Sequence, residues 1–199
     1  MNKTKPIIFS TPMVQAILEG RKTQTRRIVK PKRNSRCRMS LFNAIAHISG
    51  KWFGVDFNNV PFINDLIEQP KCKPGDVLWV RETWSKDENG EYVYRTNYGT
   101  TEDDSFPPSM FKWKPSIHMP REAARIFLKV TNVSVERLQD INEEDALKEG
   151  CMPTILDGAI FFSAKGKFHA LWDGLNAKRG YGWDVNPWVW VYEFEREVE

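Results

Sequence analysis

Three cysteines and three histidines among 199 residues leave little material for a redox or metal framework. Cys37, Cys72 and Cys151 are odd in number and far apart, which argues against a disulfide scaffold. His47, His118 and His169 stand alone, with no CxxC, HExxH or paired-histidine spacing, so each reads as a structural or surface histidine. Neither a metal nor another cofactor is expected. No stretch is long and apolar enough to span a bilayer. A secretory pattern is missing too, because Asn2, Lys3, Lys5 and Pro6 run straight into the short strand Ile7-Ile8-Phe9, and the expectation is a cytoplasmic chain. There is no internal repeat, low-complexity tract or linker to divide the sequence. With 41% hydrophobic and 28% charged residues it can bury a core as a single domain over residues 1–199.

What the sequence does have is charge segregation. Residues 1–38 hold eleven Lys/Arg against one acid, a balance of +10, while the remainder holds eighteen against twenty-five, a balance of −7. A local positive field suits phosphate-bearing partners, since each neutralised phosphate releases counterions and steers association. Its tail, Lys30-Pro31-Lys32-Arg33-Asn34-Ser35-Arg36-Cys37-Arg38, fits either a nucleic-acid contact or a solvated loop.

The densest chemistry lies in Ile17-Leu18-Glu19-Gly20-Arg21-Lys22-Thr23-Gln24-Thr25-Arg26-Arg27. Val14, Ile17 and Leu18 fall at helical spacing, Pro12 suits a first turn capped by Ser10 or Thr11, and Gly20 can take the left-handed conformation that ends a helix. From Thr23 the alternation reads as a strand, with Thr23, Thr25 and Arg27 on one face and Arg26 on the other. Lys22 sits in the turn between, and a bend there is needed for Lys22 and Thr25 to converge. The same pattern fits a solvated basic turn.

Farther along, His47 to Phe53 reads as a hairpin with a Ser-Gly turn. Lys73-Pro74-Gly75-Asp76 is a turn, and Val77 to Trp84 is a strand placing Leu78, Val80, Glu82 and Trp84 on one face. Glu82 beside Trp84 would suit a pocket that stacks a ring and accepts its hydrogen bond; a Glu paired with a neighbouring Arg fits as well. Tyr92 to Arg95 reads as a short strand, followed by a polar loop with Glu102-Asp103-Asp104. Ile126 to Val135 reads as a long strand with Ile126, Leu128 and Val130 on one face. Asn142 caps a helix ended by Gly150, which leaves Glu149 in the last turn, where the helix dipole disfavours its charge by about 0.3–1 kcal/mol. After Ser163 a third helix carries Phe168, Leu171, Trp172 and Leu175 as a core stripe. A final strand runs from Pro187 to Glu195. The pattern is that of an α+β domain around a small, mostly antiparallel sheet or barrel.

On Ile17 to Arg27, Pro74 to Trp84, Ser116-Ile117-His118-Met119-Pro120, Glu149-Gly150 and Asn186 to Val191, the chain resembles ASCH-domain proteins from end to end. These are a branch of the PUA-like superfamily, and the larger ASCH proteins of bacteriophages and prophages are the nearer likeness. The resemblance implies a PUA-like small β-barrel with about three flanking short helices, insertions around residues 31–70 and 96–115, and a cleft beside the first helix that relatives use for RNA or nucleosides. Here that cleft would be walled by Lys22, Thr25, Arg26, Glu82, Trp84 and Glu149, with Arg21, Arg27, Arg81 and His118 joining the binding set.

One small bacterial branch that the chain also resembles is an amidohydrolase acting on N4-acetylcytidine with a Lys, a Thr and a Glu. Its G-R-K-T-x-T pattern falls on Lys22 and Thr25, and its Glu on Glu149. Lys22, with a pKa lowered by burial and by Arg21 and Arg26, would activate Thr25 or a water, and Glu149 would manage the leaving amine's proton. Since the Lys and the Glu-Gly also occur in ASCH proteins not known to hydrolyse anything, binding of RNA, single-stranded nucleic acid or a modified nucleoside is the first expectation. Hydrolysis of an N4-acylated cytidine or of RNA is the alternative, and a protein-interaction role in phage biology stands third. No membrane partner is expected, and the oligomeric state stays open.

Overall fold

The computed structural model describes residues 4–32, 44–48, 51–55, 67–98 and 111–197. The basic tail from Arg33 to Arg38, the Ser49-Gly50 turn, most of the two expected insertions and the acidic run Glu102-Asp103-Asp104 lie outside those residues. Among the described residues the chain is mixed α+β, with eleven strands and three α-helices and no helix long and apolar enough to cross a membrane. They fall into two compact units. The first takes Met1–Thr23, Pro74–Thr131 and Glu193–Glu199, and the second takes Gln24–Lys73 and Asn132–Tyr192.

In the first unit, β1 (Thr4–Ile8) lies parallel to β5 (Val77–Arg81), with Thr4 opposite Val77 and Ile8 opposite Arg81. On the other side of β5, the start of β8 (Phe127–Arg137) runs antiparallel, Leu78 facing Leu128. Leu78, Val80, Ile126, Leu128 and Val130 are all buried, as the period-two pattern demands. The helix α1 (Thr11–Leu18) starts with Pro12 in its first turn and buries Val14, Ala16 and Ile17. Gly20 then adopts φ +74°, and the amides of Arg21 and Lys22 both return to the Ala16 carbonyl at 2.9 and 3.0 Å. A residue with a Cβ is strained there, so glycine permits the reversal that aims the next residues back toward the protein. A short ribbon, β6 (Trp84–Lys86) with β7 (Tyr92–Tyr94), completes this unit, extended by a bridge from Trp84 to Lys114.

The second unit holds β2 (Gln24–Ile28), which neighbours β11 (Trp188–Glu197), which in turn neighbours β8. Two antiparallel ribbons belong to it: β3 (Ala44–Ile48) with β4 (Lys51–Val55), and β9 (Thr154–Leu156) with β10 (Ala159–Phe162). In α2 (Glu143–Lys148), the Asn142 side chain accepts from the Asp145 amide at 2.8 Å, and Gly150 at φ +89° follows the end. In α3 (Ala164–Asn176), Ser163 caps by accepting from the Gly166 amide. Phe168 and Trp172 pack with Leu138, Ile141, Ala146, Cys151 and Val189 into the core of this unit. Leu175, placed on the same stripe by spacing, is exposed instead.

Candidate functional site

The α1–β2 junction is not a solvated turn. Lys22 is 2% exposed, with its ammonium 5.5 Å from the centre of the Phe9 ring, and Thr25 is 2% exposed in β2. The sequence places Arg26 on the face opposite Thr25, yet Gln24, Thr25 and Arg26 are all buried. A strand covered on both faces loses the in–out alternation of burial, and here the covered residues are polar.

Arg26 explains how such a row is tolerated. It is 4% exposed, and its guanidinium donates to Glu136 at 2.7 Å, to Glu149 at 3.2 Å and to the Gln24 side chain at 3.3 Å, with Asp145 at 3.5 Å. Its planar fork spreads donors in several directions at once, which a lysine could not do. Glu149, 4% exposed, closes α2 as its C-cap residue. The helix dipole works against a charge at that position, and the Arg26 guanidinium supplies the compensation. Burial raises the pKa of Glu136, opposed by the charge and hydrogen bond of Arg26. Burial lowers that of Arg27, opposed by Glu149 and Tyr192. Arg26 therefore faces three acids in this cluster, with the charge of Arg27 acting on Glu149 as well, all of it inside the second unit.

The first unit contains a different buried charge. Glu82 is buried and receives Arg125 Nε on Oε1 at 2.9 Å, while its Oε2 receives both Arg125 at 3.1 Å and the Thr96 hydroxyl at 2.8 Å. Arg125 also donates to Asn97 at 3.1 Å and lies 4.0 Å from the centre of the Tyr94 ring. Of the two expectations for Glu82, the one that pairs it with an arginine describes the geometry. Its carboxylate is taken up by side chains of its own unit.

Trp84 requires a correction. The sequence reading makes it an exposed stacking platform, whereas it is 5% exposed and packs with Met119 and Ala123, with Lys114 covering its ring at 4.7 Å. The strand expected from Val77 to Trp84 ends at Arg81, and Trp84 opens β6 in a separate two-stranded sheet; burial still alternates through Leu78, Val80, Glu82 and Trp84, and all four are core. Of the remaining residues, Arg21 is partly exposed and pairs with Glu19 at 2.6 Å; Arg81 donates to the Ile117 carbonyl and stacks on Trp79 at 5.4 Å; His118 is exposed in a 3-10 turn.

Sequence reasoning missed Glu136, Asp145, Arg125 and Thr96 as partners. Glu136 is 110 positions from Arg26 and Arg125 is 43 from Glu82, so no local spacing announces either pair. Among the described residues no group of three or more His, Cys, Asp and Glu side chains is arranged to hold a metal ion. No family model, curated protein or solved structure matches this chain.

Proposed function

We propose that this chain is an ASCH-type protein of PUA-like barrel architecture that binds nucleic acid, RNA first, and reads a base or modified nucleoside at the polar start of β2. The observation that carries the reading is the buried row Gln24-Thr25-Arg26, with Arg26 fixed by Glu136 and Glu149. Burying polar groups is costly unless they are bonded, and a polar row kept inside the protein at that cost supports a functional site at the start of β2. The balance of +10 over residues 1–38 supports a phosphate-bearing partner for the same part of the chain.

Filter binding of labelled RNA across a salt series tests the proposal. Retention should fall steeply with salt, and replacing Lys32, Arg33, Arg36 and Arg38 by Ala should flatten the log–log slope by about 0.7 per lost contact on a single strand. Retention that ignores both salt and these substitutions would defeat it.

A second reading, hydrolysis of an N4-acylated cytidine, is favoured by the burial of Lys22, Thr25 and Glu149, each at most 4% exposed. Incubation with N4-acetylcytidine separates the two. Lysine can surrender a proton and arginine cannot near neutral pH, so Lys22→Arg should spare binding under the first reading and abolish turnover under the second. The expected result is little or no deacetylation; rapid turnover that vanishes in Lys22→Arg, Thr25→Ala and Glu149→Gln would promote the hydrolase.

A further inference from the structure

The ribbon β9–β10 carries the least expected surface among the described residues. Ile155, Leu156, Ile160, Phe161 and Phe162 are 60, 52, 68, 62 and 53% exposed. Neighbours along a regular strand point to opposite faces, so the joint exposure of Ile155 with Leu156 leaves both faces of the ribbon uncovered, and Phe161 stands exposed where the pairing shifts register between Ile160 and Phe162. Its turn is tight and well made: Asp157 at φ +50° and Gly158 at φ +79° provide the two left-handed residues of a two-residue hairpin loop. Phe161 and Phe162 meet edge to face at 4.7 Å. Neither strand has another strand beside it among the described residues. A two-stranded ribbon standing alone is marginal in water, and an apolar one leaves unpaired backbone edges open to a partner.

We propose that this ribbon is a self-association surface, through which two copies of the chain join ribbon to ribbon about a two-fold axis. Two observations select a second copy, and the exposed area sets the strength of the pair. The only charged side chain from Thr154 to Phe162 is Asp157 in the turn, so the surface has no cation for a polyanion or for anionic lipid headgroups. Five large side chains at this exposure present roughly 500 Å² over the two faces, so a ribbon-to-ribbon contact covering one face in each copy buries roughly 500 Å² in total, the size of a weak, concentration-dependent pair. An apolar patch with an antiparallel edge is also self-complementary under two-fold symmetry, so it needs no matching surface elsewhere.

Sedimentation of the full chain from about 1 to about 100 µM, a span suited to an interface of this size, tests the proposal. The expected result is a monomer–dimer equilibrium whose Kd rises at least about 100-fold in Ile160→Asp, because each copy loses an apolar contact and gains an acid facing its twin. Hydrogen exchange on the unsubstituted protein should show amides of residues 154–162 more protected at the higher concentration, a reading that holds even if the variant folds poorly. A chain that stays monomeric throughout would overturn the proposal. So would a dimer indifferent to both Ile160→Asp and Phe162→Ser, or a monomer that floats with phosphatidylcholine vesicles.

Discussion

The two units each bury a carboxylate–guanidinium cluster, and the clusters have opposite stoichiometry. In the first, a single acid, Glu82, is taken up by Arg125 and Thr96, and Arg125 keeps 27% of its side chain exposed. In the second, Arg26 with 1% of its side chain exposed serves Glu136, Asp145 and Glu149, and Arg27 adds its charge near Glu149. Removing a partner from the first leaves a cation that can reach water. Removing Arg26 from the second takes a guanidinium from Glu149, whose side chain is only 4% exposed, while Glu136 and Asp145 at 25 and 22% can reach water much as Arg125 can, so the burial of Glu149 makes that the costlier loss. The contrast teaches that burial of the survivor, more than the number of bonds, decides what an ion pair is worth.

The largest expected effect follows from Arg26. Arg26→Met should lower unfolding free energy in urea by about 3–5 kcal/mol, chiefly through loss of the guanidinium beside the buried Glu149. A loss below about 1 kcal/mol would break the contrast. Trp84→Ala should cost a similar amount, about 3–5 kcal/mol, as a core cavity and not as a selective loss of ligand affinity. Full stability with weakened RNA binding would restore the stacking role. Glu82→Ala should cost less, about 1–3 kcal/mol, because the released Arg125 can hydrate.

The smallest effect concerns pH. Glu136 has its folded pKa raised, mainly by burial, so protonation favours the folded state in the window between its unfolded and folded pKa values. Its contribution is therefore present below the unfolded value and is lost as pH rises through the folded one. The stability of the unsubstituted protein minus that of Glu136→Gln should decline as pH rises across that window. A flat or rising difference would show that Arg26 outweighs the burial.

Local chemistry was the legible part of this fold. Pro12 and Gly20 marked α1, Asn142 and Gly150 bracketed α2, and the alternation of Ile126, Leu128 and Val130 located β8. The β9–β10 hairpin went unread although Asp157-Gly158 between apolar pairs is a strong turn signal. For Glu82, alternation named the face and stopped there. Its partner Arg125 comes from a segment with no periodicity, so the pairing is a product of tertiary structure. The same limit applies at β2, where coverage of both faces cancels the alternation that made Arg26 look like a residue facing away from Thr25.

Chain order has its own consequence for the first unit. Phe9 meets Phe194 with ring centres 6.2 Å apart, and the Phe194 amide donates to the Thr23 carbonyl at 2.9 Å. During synthesis at about 5–20 residues per second, the opening strand and helix must wait roughly 10–40 s before the segment that closes on them has even been made. For about the first third of that interval β1 also lacks β5, its parallel neighbour from Val77 onward, and for all of it Lys22 has none of the late segment that closes its unit. A ribosome-bound chain halted before Glu193 should therefore leave its first unit digestible by protease, and release of the complete chain should protect it.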